Sequence, residues 1–252
     1  MKKLYEKSEI LFAIFWIVLY TVVMGFLRNL GDDSPYMTVG LAAVSLLMFL
    51  FVRKNGLAAK YGLSGWAGNG KAMLWLIPLW IITSCNLWGG VAPAYPLPGQ
   101  IYAVVSMAFV GFAEELIFRG FLFKAMLKSG SVKAAVIVSS VTFGLGHILN
   151  LFTGHALPET LLQVIFAIAV GFVFTLVYYK SGSLLPCILA HSLIDVFAVF
   201  AADGSSPLLN VIVHAAIIVL ALAYCLYLVK RVATPPVNGR GRQRENAPCP
   251  QE

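Results

Sequence analysis

Apolar residues in this chain come in long runs rather than on one alternating face. The runs are Ile10–Leu27, Tyr36–Val52, Ala72–Leu87, Ile101–Phe123, Ala134–Phe152, Thr160–Tyr179, Ser183–Ala202 and Leu208–Val229. A helix needs about 20 apolar residues, with a usual range of about 17–25, to cross the hydrocarbon core of a bilayer. The pattern predicts about eight transmembrane helices in one integral domain over residues 1–231, an all-α, polytopic membrane protein. Pro78 interrupts the third run, so that segment is expected to be kinked or re-entrant. The first run follows Lys2, Lys3 and Lys7 as a signal peptide would. It is long, lacks a small-x-small cleavage site and precedes further spans, so a retained helix is expected. Residues 232–252, rich in Pro, Gly and charge, are expected to form a disordered basic tail.

Composition agrees with the pattern. The chain is 60% hydrophobic and 12% charged, against about 25% charged in a soluble domain. Its net charge of +7 would suggest nucleic acid in a soluble protein. Here the bias of basic residues toward cytoplasmic loops explains it, and no nucleic-acid partner is expected. With eight spans and both termini cytoplasmic, 16 of the 18 basic residues fall on the cytoplasmic side. Arg119 lies within a run, and Arg28 alone falls on the outer side, among loops that carry Asp32, Asp33, Glu159 and Asp203. The four cysteines, Cys85, Cys187, Cys225 and Cys249, form no C-x-x-C pair and read as inert thiols rather than a disulfide or zinc framework.

Four charges break the apolar runs: Glu114, Glu115, Arg119 and Asp195. Each costs roughly 2.5–3.5 kcal/mol at a bilayer centre, on the order of 10 kcal/mol together, against a typical total stability of about 5–15 kcal/mol. They must be paired, neutralised or wet. Glu115 and Arg119 are four apart and share a helical face. Glu114, about 140° away from Arg119 on an α-helix, is left chemically available. His191 and Asp195 are also four apart, and His147 lies beside Gly144 and Gly146, which would permit close helix approach. Counted from the nearest cytoplasmic lysine at 1.5 Å per residue, Glu114, His191 and His147 lie at depths of about 15, 16 and 21 Å. Convergence of these groups from separate helices marks a candidate site. His155 and His214 stand apart and are expected to have no part in it, and Phe118 and Phe143 read as packing residues.

Three short motifs carry a resemblance. "EELIFR" (114–119) resembles an E-E-x-x-x-R motif, "FGLGH" (143–147) an F-x-x-x-H motif and "HSLID" (191–195) an H-x-x-x-N/D motif. In this order, on separate helices, they resemble the CAAX protease and bacteriocin-processing (CPBP, or Abi) family of intramembrane endopeptidases, over about residues 100–200. The resemblance implies eight helices and glutamate-dependent hydrolysis of a peptide bond in a membrane-associated, prenylated or leader-type peptide or protein. Glu114 would be the general base, assisted by His147. His191 and Asp195 would stabilise the oxyanion, with Glu115, Arg119 and Phe143 supporting. Many members carry Asn at the position of Asp195. An ionised Asp cannot donate a hydrogen bond, so Asp195 must be protonated or must orient His191 and stabilise its cation.

No cofactor or metal is expected. A zinc variant built on Glu114, His147 and His191 is chemically allowed, although no H-E-x-x-H helix supports it. The expected setting is the lipid of a prokaryotic plasma membrane, with the oligomeric state open. Two other readings stand beside the protease: a non-enzymatic immunity or regulatory partner, and a proton-coupled transporter, whose relays also use midplane carboxylates and histidines.

Overall fold

The computed structural model describes residues 1–66, 70–128, 130–154, 156–202 and 207–234. The tail from residue 235 onward, with Cys249, lies outside the described residues, as do His155 and Asp203. Among the described residues the chain is helical, and its single β-type pairing is the isolated bridge Val91–Ala201.

A short helix Lys2–Lys7 precedes α1 (Glu9–Arg28) and α2 (Pro35–Lys54). Next come α3 (Ile77–Thr83), α4 (Gly99–Glu115), α5 (Val132–Gly146), α6 (Leu157–Ser181), α7 (Leu185–Ala198) and α8 (Pro207–Arg231). Helices α1, α2 and α5 start where the sequence offers a side-chain acceptor. Ser8 Oγ accepts from Leu11 N, Ser34 Oγ from Tyr36 N ahead of Pro35, and Ser131 Oγ from Ala134 N, each at 3.2 Å.

Among the described residues six helical segments are long and apolar enough to cross a membrane: Glu9–Arg28, Pro35–Lys54, Gly99–Lys128, Val132–Phe152, Leu157–Ser181 and Leu208–Arg231. Two of the eight apolar runs form shorter helical segments, Met73–Leu87 and Leu185–Ala198. In the first, Pro78 stands in the opening turn of α3, with 3₁₀ turns on either side (Gly70–Leu76 and Cys85–Leu87). Pro tolerates a helix start but not a helix interior, so the run breaks there. In the second, Pro186 sits in the first turn of α7, and the run's last residues leave the helix to pair with another segment. Ala92 N donates to Phe200 O (2.9 Å) and Ala94 N to Val199 O (3.1 Å).

Two close crossings set the centre of the bundle. A Cβ on Gly111 of α4 would fall 2.6 Å from Ser192 Cα of α7, and Ser192 Oγ donates to Ala108 O across the same contact (3.0 Å). A Cβ on Gly144 of α5 would fall 2.7 Å from Ile168 N of α6. Absent side chains let backbones approach in this way. Gly146 plays no such part, since a Cβ there meets nothing within 4 Å. The expectation that both glycines mediate close approach therefore holds for Gly144 alone.

One end of the bundle gathers basic residues around an acid. Glu9 Oε1 accepts from Lys60 Nζ (2.7 Å) and Lys128 Nζ (2.6 Å), and Lys60 also reaches Tyr5 OH (2.7 Å). The outward faces of the long helices carry exposed apolar side chains such as Phe26, Val39 and Val219, the surface a lipid solvent requires.

Gly111→Ala is expected to lower the thermal midpoint of the detergent-solubilised protein, because overpacking against backbone costs about 1–3 kcal/mol and outweighs the gain in helix propensity of about 1 kcal/mol. Gly146→Ala, with open space at its Cβ, should leave the midpoint unchanged or raise it. Equal behaviour of the two variants would refute the close crossing.

Candidate active site

The segment "EELIFRGFLF" does not remain α-helical. α4 ends at Glu115, and Leu116–Phe123 continues as a π-helix before the short helix Lys124–Lys128. A π-helix bonds i to i+5, so the α-helical angle between Glu114 and Arg119 does not apply across this stretch. Ser139 Oγ of α5 donates to Phe118 O within it (2.9 Å). π-bulges recur at functional sites.

Arg119 and Glu115 pair as their spacing suggests. Both side chains are fully buried, with Nη1 donating to Oε1 at 2.8 Å. Nη2 of Arg119 reaches Gly171 O on α6 (3.3 Å), and the guanidinium lies 4.2 Å from the Phe143 ring centroid and 5.4 Å from that of Phe174. The charge thus meets one carboxylate, one carbonyl and two aromatic faces.

Glu115 has a second partner. The same Oε1 bonds Nδ1 of His191 on α7 (2.9 Å). A ring nitrogen that bonds a carboxylate carries the proton, so Glu115 fixes the orientation of His191. Phe174 stacks on the His191 ring (5.5 Å between centroids), and Phe143 meets it edge-on (5.4 Å). At Nδ1 the residue that orients His191 is therefore Glu115.

Nε2, on the other side of the imidazole, faces Asp195 Oδ2 at 3.5 Å and Glu114 Oε2 at 3.8 Å. The Oδ2 atom of Asp195 is buried and makes no hydrogen bond among the described residues. Glu114 is not wholly free, because its Oε1 accepts a hydrogen bond from Tyr20 OH of α1 (3.1 Å). His147 stands just past the end of α5, where the chain tightens into the 3₁₀ segment His147–Thr153. Its Nδ1 lies 3.4 Å from Phe143 O, and its ring packs edge-on against Phe143 (5.4 Å).

Glu114 and His147 line two adjoining cavities of about 270 and 550 Å³. His191 and Asp195 line the larger, and Phe143 and Tyr20 the smaller. All seven residues singled out from the sequence therefore meet in one place. His214 stays apart, packed on Phe166 (5.2 Å). The zinc variant needs Glu114, His147 and His191 to converge as ligands. Among the described residues no three His, Cys, Asp or Glu side chains are grouped so as to hold a metal ion.

The motifs did not reveal Tyr20, Arg28, Asn150 and Gln163. Tyr20 is a lone phenol in an apolar helix and carries no signal by itself. Arg28, by contrast, is the one basic residue that the topology expected from the sequence leaves on the outer side. Both cavities include it, and its Nη1 donates to Asn150 Oδ1.

Arg119→Met is expected to destabilise the protein by about 3–5 kcal/mol, because it leaves a buried carboxylate without its cation. A drop in the thermal midpoint in detergent would show it. An unchanged midpoint would mean the pair is not a structural brace.

No curated protein and no solved structure matches the chain. Residues 97–197 match the family described as type II CAAX prenyl endopeptidase, Rce1-like. That family is one of membrane proteases, so the transporter and immunity readings gain nothing from it. The matched segment contains all seven side chains named by the motifs, and over it the chain is similar to the Rce1-like CAAX-type endopeptidases, as the motifs led us to expect.

Proposed function

We propose that the protein is an intramembrane endopeptidase in which Glu114 activates water against a peptide carbonyl. The observation that carries this reading is the arrangement around His191. Its Nδ1 is held by Glu115, while its Nε2 faces Glu114 across 3.8 Å at the wall of a cavity. That separation is too long for a direct hydrogen bond and suits two groups that act on a shared reactant.

In this mechanism Glu114 takes a proton from water, and the water oxygen attacks the scissile carbonyl. The tetrahedral oxyanion accepts a hydrogen bond from Nε2–H of the His191 cation. Glu114 then returns the proton to the leaving nitrogen. His147 assists in positioning the water from the same cavity wall. Asp195 supports the His191 cation by its charge rather than by donating to the oxyanion, since an ionised carboxylate has no proton to give. Glu115 and Arg119 act through His191 and are positioning residues. Donors fixed in a poorly hydrated site stabilise developing charge more than donors in water do. Every step uses side chains of this chain alone.

The substrate is a membrane-associated peptide or protein. The setting proposed is a prokaryotic plasma membrane, with the Glu9–Lys60–Lys128 end of the bundle and both termini on the cytoplasmic side, as the basic residues indicate.

Glu114→Gln, expressed at the wild-type level, is expected to lower cleavage by about 100-fold or more, the usual effect of losing a general base. Proteomics of membrane peptides from cells carrying either form would read it, and a product present equally in both would sink the mechanism. Tyr20→Phe should lower kcat roughly 10–100-fold with KM nearly unchanged, since a hydrogen bond to a charged group contributes about 1.5–3 kcal/mol. A change confined to KM would show that Tyr20 contacts substrate instead.

A further inference from the structure

The proposed reaction consumes water in the middle of a bilayer, and the two ends of the bundle give it unequal access. The larger cavity, about 550 Å³, is many times the roughly 30 Å³ that a water molecule occupies, and its polar lining can hold water in place. The lining sets three carboxylates, Asp32, Glu114 and Asp195, against one guanidinium, Arg28. Its depth follows from the chain direction. α1 runs from Glu9 past Tyr20 to Arg28, and α4 with its π-helical continuation runs the opposite way, from Gly99 through Glu114 toward Lys128. From Glu114, His147 and His191 the described lining continues only toward the Arg28 end, through Val110 on α4 and Asp195 and Ala198 on α7. Arg28, Ala94 and Ala198 are exposed, so the lining reaches the surface at that end.

The opposite direction is closed. Between Glu9 and Tyr20, α1 carries Phe12 and Trp16, and between Glu114 and Lys128 the π-helix carries Phe121. The Phe121 ring lies 5.0 Å from Phe12, 6.4 Å from Trp16 and 5.2 Å from Tyr61 between centroids, and all four side chains are buried. Toward the same end from His191, Leu184 and Cys187 are fully buried. A dry aromatic layer passes neither water nor a peptide backbone, whose polar groups would lose their partners in it. The closed end is also the basic end. Lys60 and Lys128 meet there on Glu9, and α2 and α8 finish there in Arg53 and Lys54 and in Lys230 and Arg231. The other end carries Asp32, Asp33 and Glu159. Basic residues gather on the cytoplasmic side of a membrane protein.

Resting on the peptidase reading and the orientation given with it, we propose that the active site opens to the extracytoplasmic side of the membrane and that its substrate is a polypeptide segment presented there. Water reaches Glu114 from that side, and the products leave on it. The step that must supply this substrate is export. A segment crosses the membrane, or is anchored with its scissile bond outside, before it is cut.

The test uses the full chain in right-side-out and inverted membrane vesicles of the expressing cells. The parent carries Cys225→Ala and Cys249→Ala, while Cys85 and Cys187 are buried and stay. Val110→Cys places a thiol on the cavity wall four residues before Glu114, and Ala198→Cys places one at an exposed lining position that needs no repacking. The probe is a membrane-impermeant cationic methanethiosulfonate. Both thiols are expected to react about tenfold faster or more in right-side-out vesicles, because a cleft lined by carboxylates concentrates a cation. Lys2→Cys, the marker of the cytoplasmic end, should react only in inverted ones. Equal rates from the two sides, faster reaction in inverted vesicles, or reaction of neither thiol overturns the proposal. So does a Lys2→Cys marker that reacts from the same side as Val110→Cys. Cleavage is scored separately, with a pool of fluorogenic apolar peptides added to vesicles carrying wild type or Glu114→Gln. Glu114-dependent cleavage is expected in right-side-out vesicles. Its appearance in inverted vesicles alone overturns the outward site and leaves the peptidase reading standing. If labelling is outward but Glu114→Gln alters no peptide in the cells, the peptidase reading falls and the outward cavity remains.

Discussion

The buried carboxylate of Glu115 is the constraint on which the rest of the site depends. One oxygen receives both Arg119 Nη1 at 2.8 Å and His191 Nδ1 at 2.9 Å. A charge this deep in an apolar bundle is tolerated only with a partner, and Arg119 is that partner. Arg119 needs partners in turn, and finds Gly171 O and the faces of Phe143 and Phe174. The same two rings flank the His191 imidazole. One set of contacts therefore neutralises a buried ion pair and fixes the histidine. The supporting residues and the proposed reacting residues are physically inseparable.

Helix spacing makes this possible. Glu114 and Glu115 stand on α4, His191 and Asp195 on α7, and these helices can bring carboxylates within 4 Å of an imidazole because Gly111 removes the side chain that would hold them apart. Gly144 does the same between α5 and α6, seating Phe143 and His147 against the cluster. The π-helical stretch after Glu115 places Arg119 under that cluster.

The family match and the cavity do not cover the same ground. The match spans residues 97–197 and holds the reacting groups, yet part of the cavity wall is α1. Tyr20 bonds Glu114 from there, and Arg28 lines both cavities. The shared chemistry lies in one segment, while the features that could select a substrate come partly from a helix that none of the three motifs reaches.

The sequence by itself determined the helical membrane class, because runs of apolar residues admit few other solvents for the chain. It also determined which charges matter, because charges in such runs are too costly to be incidental. The Glu115–Arg119 pair was legible from a spacing of four. Tertiary structure decided what spacing cannot carry. Hydropathy counts residues but not backbone breaks: Pro78 announced one shortened run, whereas the pairing of residues 199–202 with residues 90–94 ended another that the sequence left at full length. An assumed α-helix gave the angle between Glu114 and Arg119, and a π-helix replaced it. The partner of His191 Nδ1 proved to be Glu115, 76 positions away, and the partner of Glu114 proved to be Tyr20, 94 positions away. Such contacts are set by which helix faces meet, and a face acquires its neighbour only when the bundle closes.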